Sequence, residues 1–182
     1  MMDTLNSIRE TVKAASVVVS LAPKITMEKI AGVLNTNRIV RMIPNATSYI
    51  NKGYNPVCFH NSFSEAEKKN LMQWFKKLGK TIQVDESMLE GYAIVSAMLP
   101  TYFWFQWQTM EAIAVKTGFS KAEAKKVIGD TLKRSMKLYY KSELSPEEVI
   151  DLIPVKPIGV HEAEIEQILE KKLLELYEKI KP

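Results

Sequence analysis

The chain has 182 residues, of which 46% are hydrophobic and 25% charged, a composition that excludes a disordered protein. Its net charge of +4 is mild, and its 25 basic residues are interspersed with 21 acidic ones. Lysine pairs such as Lys68-Lys69 and Lys125-Lys126 therefore read as solvated helix faces, not as a nucleic-acid surface. One cysteine, Cys58, excludes a disulfide framework within the chain and fits a reducing cytoplasm. His60 and His161 have no Cys or His at ligand spacing, so no metal site is expected.

In chain order, residues 4–15 read as a short helix with Leu5, Ile8, Val12 and Ala15 on one face. The charges at Asp3, Arg9, Glu10 and Lys13 do not suit a signal peptide. The β-branched run at 16–21 predicts a strand buried on both faces, as in a parallel sheet, closed by Pro23. Thr26 is placed to cap a helix reaching about Leu34. Residues 39–43 predict a second strand, ended by Pro44, and residues 56–59 a third. Ser64-Glu65-Ala66-Glu67 is a capping box opening a helix that ends at Gly79. Residues 81–84 predict a fourth strand. This alternation implies an α/β sheet with crossover helices.

After Asp85 no further strand pattern occurs. One long helix is expected over 87–117, bent at Pro100 and stopped by Gly118. Two more capping boxes, at Ser120 and Ser145, open helices, the second with Pro146 at its first position. A last helix runs from near His161 to the end. The boundary between an α/β part and a helical part is placed near residue 86, giving domains 1–85 and 86–182. Residues 91–110 carry no charge, yet Pro100, Gln106 and Gln108 make a buried helix a better reading than a membrane span. The 87–117 helix carries Met98, Leu99 and the run 102–107 on too many sides for one small core. A helix apolar all round must be buried all round, so a homodimer through it is expected. No membrane partner and no nucleic acid are expected.

Val18-Val19-Ser20-Leu21-Ala22-Pro23-Lys24, Val40-Arg41-Met42-Ile43-Pro44-Asn45-Ala46, and the helix start with Ser96, Pro100 and Tyr102 in register together resemble the pyrroline-5-carboxylate reductase family. The first looks like the family's Ala-x-Lys-Pro turn with Pro and Lys reversed; the second is similar to its Arg-x-Met-Pro-Asn segment. Thr117-Gly118-Phe119-Ser120 resembles its Leu-Gly-Leu-Pro break. The resemblance implies a truncated Rossmann-like α/β half-domain followed by an all-helical dimerisation domain. It implies a reductase using NADP or NAD, with Ala22, Lys24, Pro44 and Asn45 toward the nicotinamide-ribose end of the cofactor.

The departures are specific. No Gly-x-Gly-x-x-Gly occurs in the chain, so the turn that binds pyrophosphate would have to come from a missing Rossmann half, on a separate chain or upstream. Ala97-Met98-Leu99 replaces the family's small-residue pocket. Pro157-Ile158-Gly159-Val160-His161 aligns with its Pro-Gly-Gly-Thr-Thr loop, and Val160 cannot donate the hydrogen bond a threonine would. The remaining catalytic candidates are Ser96 and His161. For His161 a surface position at a helix start competes with a proton-donor role; for Ser96 an ordinary buried helix hydroxyl is the plainer reading. Two functions follow: a divergent reductase, or a non-catalytic homodimeric binding module derived from one.

Overall fold

The computed structural model describes residues 2–182. The first compact unit holds residues up to Pro100 together with Lys171–Pro182. Its sheet has four strands in sequence order, β1 (Val18–Ser20), β2 (Ile39–Met42), β3 (Gly53–Phe59) and β4 (Gly79–Gln83). β1 and β2 are parallel through the helix α2 (Met27–Leu34), and β3 and β4 are parallel through α3 (Glu65–Phe75). The two βαβ units meet antiparallel at β2 and β3, with Arg41 opposite Cys58. This is the expected Rossmann-like half-sheet; the antiparallel seam was not read from the sequence.

Alternation along the strands sorts the apolar residues onto two faces. Ile39, Ile43 and Cys58 pack with Leu5 of the helix α1 (Met2–Ile8), with Met27, Ile30 and Leu34 of α2, and with Leu89 of a short helix α4 (Leu89–Tyr92). Val40, Met42, Val57, Phe59 and Phe63 form the other core, with Leu71, Met72 and Phe75 of α3 against it. Burial pushes the Cys58 thiol up to about 11, with the nearby Glu86 carboxylate adding to the effect, so the thiol stays protonated and unreactive at neutral pH.

Several expectations change in detail. α1 ends at Ile8, because the Thr11 and Val12 N–H groups fold back onto the Ile8 carbonyl. β1 is three residues long and half-exposed, not buried on both faces, because it is an edge strand with one neighbour. The 87–117 segment is not one helix bent at Pro100. It runs as a 3-10 turn (Glu86–Met88), α4, a π-helical turn (Ala93–Ala97) and then α5 (Leu99–Lys116). The break falls before the proline, where Met98 N–H bonds to Ala93 C=O five residues back. Pro100 lies in the first turn of α5, where a missing N–H costs nothing.

Thr26 caps α2 as expected. Ser64 caps α3 with a full capping box, and the Glu67 carboxylate also takes a 2.9 Å bond from Arg38. The Ser64 backbone N–H, the Ser64 hydroxyl and Arg38, in that order, hold Glu67 down to about 2, against an ordinary value of 4.5. A carboxylate with a depressed folded pKa stabilises fully above its unfolded pKa and loses that contribution as pH falls through the folded one. Stability is therefore expected to fall between about pH 4.5 and 2, and Glu67→Gln to flatten that window. Urea midpoints at pH 5 and pH 3 for both proteins check this.

The second unit spans Thr101–Glu170. It holds most of α5, then α6 (Lys121–Lys141) and α7 (Pro146–Asp151), and the first half of α8 (Glu162–Ile180). Both remaining capping boxes form, at Ser120 and Ser145. Gly118 takes φ 105 where α5 stops, a conformation that favours glycine. Packing thus divides the chain at Pro100. α5 has no buried residue in this chain, and Phe103, Trp104, Phe105, Met110 and Ile113 are exposed on it. α6 and α7 line an apolar cavity of about 590 Å³ between Met136, Tyr139, Tyr140, Val149 and Leu152. No described helix is long and apolar enough to cross a membrane.

Candidate functional site

Open α/β sheets bind ligands beyond the carboxyl ends of their parallel strands. At that end of β1 the chain turns through Ala22, Pro23 and Lys24, and at that end of β2 through Pro44 and Asn45. Four of the residues named by resemblance therefore stand where such a fold presents a ligand. Lys24 adopts φ 71, a left-handed conformation that a lysine takes only when its surroundings hold it there.

What holds it is a buried charge cluster. The Lys24 N–H donates to Glu90 Oε1 at 3.1 Å. Arg41, with no side-chain exposure, donates to the same oxygen at 2.6 Å, to Glu86 at 2.9 Å and to the Ala22 carbonyl at 3.3 Å. Glu86 also accepts the Met27 N–H at 2.7 Å, which ties it to the start of α2. Burial opposes the charge on Arg41, but the bonds and fields of Glu90 and Glu86 outweigh it, and the guanidinium pKa is raised.

In sequence Glu90 flanks the uncharged run 91–110 and reads as one of its solvated ends. It is instead 1% exposed and ion-paired. The sequence held one clue. A charged residue inside the apolar run Ile39-Val40-Arg41-Met42-Ile43 demands a buried partner, but nothing in the spacing says that the partner lies 49 residues on.

A second link joins Asn45 to Ser96. Asn45 Nδ2 donates to the Ser96 carbonyl at 2.6 Å, and its Oδ1 caps the following 3-10 turn (Ala46–Ile50) through the Thr47 N–H. Its own N–H donates to Asn55 Oδ1 at 3.0 Å. The Ser96 hydroxyl donates to the Tyr54 carbonyl at 3.2 Å. Ser96 sits in the π-helical turn, a local irregularity often found at functional positions. The structure thus brings Ser96 to the same rim as Asn45. His161 belongs to the second unit, is exposed in a 3-10 turn (Gly159–His161), and has Glu164 at 3.7 Å.

The residues present do not fit a whole dinucleotide. A pyrophosphate needs free N–H groups at a helix start behind a glycine-rich turn. Here α2 follows a turn without glycine, and its Met27 N–H is already bonded to Glu86. Among the described residues, no His, Cys, Asp and Glu group could hold a metal ion.

No family model matches the sequence. The chain is 25% identical to the pyrroline-5-carboxylate reductase of Escherichia coli (strain K12) over 154 residues, 84% of this chain and 57% of that protein. It is 22% identical to the Aquifex aeolicus pyrroline-5-carboxylate reductase over 135 residues, 74% of this chain and 51% of that one. The chain thus spans about half the length of these curated relatives. Among solved structures, the Plasmodium falciparum pyrroline carboxylate reductase with NADP bound superposes with a TM-score of 0.77 at 20% identity, over 98% of this chain and 73% of that one. The Streptococcus pyogenes 1-pyrroline-5-carboxylate reductase does so with 0.77 at 17% identity, over 98% and 72%. Identities this low show the fold alone.

Proposed function

We propose that this chain, a divergent relative of the pyrroline-5-carboxylate reductases, forms the nicotinamide-end and dimerisation portion of an NAD(P)-dependent oxidoreductase of that type. The observation that carries the reading is the convergence of the Ala22–Lys24 turn, Asn45 and Ser96 at the carboxyl end of β1 and β2, the turn fixed by a half-buried hydrogen bond and Asn45 to Ser96 by a buried one. The pyrophosphate-binding first strand and helix come from elsewhere, on a separate chain or in a longer product. The substrate is a small cyclic imine or a relative of one, differing from the family's where Met98 and Leu99 replace its small residues. The site acts by placement, since holding nicotinamide and imine at near-attack distance is what a protein adds to hydride transfer. The chain works in the cytoplasm, as its lone buried thiol suits.

A second reading, a non-catalytic homodimeric module, is favoured by α5. Its aromatic residues are exposed in the single chain, which suits burial against a second copy. Calorimetry with NADPH and NADH, with light scattering on the same sample, separates the two. Micromolar binding by a dimer supports the reductase reading, and turnover of pyrroline-5-carboxylate is then expected once the missing unit is supplied. A dimer with no binding at millimolar cofactor sinks the stand-alone enzyme and leaves the module.

A further inference from the structure

We propose that Glu90 is a positioning residue that sets the backbone of the Ala22–Lys24 turn, with Arg41 as the buried post that holds Glu90 in place. The inference rests on the reductase-type reading for its functional meaning, but its geometry stands alone. Lys24 at φ 71 is the strained point of the turn. Left-handed backbone in a lysine persists only where the surroundings over-determine it. Three contacts do so. Glu90 Oε1 accepts the Lys24 N–H, Arg41 donates to the Ala22 carbonyl on the other side of Pro23, and Arg41 and Glu90 bond each other at 2.6 Å. One buried ion pair therefore grips the turn from both ends, by its last N–H and its first C=O.

The grip has a reason to be ionic. A carboxylate accepts a backbone N–H roughly twice as strongly as a neutral acceptor does. The pair also couples the turn to α4, which continues into the π-helical turn bearing Ser96. The same short stretch of chain thus positions both sides of the rim: Glu90 fixes the β1 turn, and the Ser96 carbonyl fixes Asn45 after β2.

The test is amide hydrogen exchange on the full chain, comparing Lys24 with Val40 in the buried strand β2. Glu90→Met removes the acceptor. Lys24 exchange is expected to accelerate on the order of tenfold relative to Val40. Glu90→Gln retains an oxygen and the shape, should fold where the methionine variant does not, and is expected to give a smaller rise of a few-fold. Lys24→Gly in the Glu90→Met background removes the cost of the left-handed conformation. It is therefore expected to recover part of the stability that Glu90→Met loses, read as the urea midpoint. A purely structural role for Glu90 speeds Lys24 and Val40 alike, and an unchanged ratio in both Glu90 variants overturns the proposal. So does a Glu90→Met protein that binds NADPH as tightly as the parent. A parent chain that binds no NADPH defeats the reductase reading but leaves the exchange ratio to decide the latch.

Discussion

Arg41→Met is expected to destabilise the protein by about 3–5 kcal/mol, because it leaves a buried carboxylate without its counter-charge. Arg41 and Glu90 have side-chain exposures of 0% and 2%, so neither regains water when the other is lost. The methionine replaces the arginine stem within the apolar face of Ile39, Ile43 and Cys58, which confines the loss largely to the charge. The double variant Arg41→Met with Glu90→Met is expected to recover more than half of the loss. Two apolar side chains of similar volume often replace a buried pair at little cost. Urea unfolding of the parent, both single variants and the double, at one fixed protein concentration, measures the coupling. A single-variant loss below about 1 kcal/mol would mean that water reaches the pair, and the site would then be softer than its geometry implies.

Gly79→Ala is the second large effect, about 3 kcal/mol or more, at the upper end of what single substitutions do. Gly79 opens β4 with φ 128, which side chains rarely adopt, and pairs with Gly53 at the start of β3. A Cβ on Gly79 would lie 2.3 Å from both the nitrogen and the oxygen of Gly53. Backbone cannot swing aside as a flexible side chain can, so the β3–β4 ladder must open there. Asn55, two residues along β3, accepts the Asn45 N–H, so the same opening would loosen the rim. Gly129→Ala is the contrast. Nothing lies within 4 Å of its Cβ in the middle of α6, and alanine there is expected to stabilise by about 0.5–1 kcal/mol. Thermal midpoints of the two variants should move in opposite directions; a Gly79→Ala protein as stable as its parent would refute the close approach.

The sequence by itself determined the local elements. Thr26, Ser64, Ser120 and Ser145 open helices where a side-chain oxygen can take a free N–H, and each does so through a bond to a residue three positions on. The apolar runs at 39–43 and 56–59 mark strands, although β3 starts earlier, at Gly53, and Gly118 marks a helix stop. These signals act over a few residues, and burial of the apolar face reinforces them. The order of motifs also sufficed to indicate the fold class, since spacing between strands and helices survives where identities do not.

Only the tertiary structure decided the rest. The antiparallel seam of β2 and β3 depends on how residues 43–52 turn. The π-helical turn shifts the break ahead of Pro100. The Arg41, Glu86 and Glu90 cluster joins groups 45 and 49 residues apart in the chain. Glu90 beside an uncharged run looks in sequence like a solvated helix end, and folding makes it the most enclosed carboxylate at the candidate rim. The physical reason is that a charge is priced by its surroundings. Caps and turns are satisfied by neighbours in the chain, whereas a buried ion pair exists only once distant segments have excluded water from the space between them.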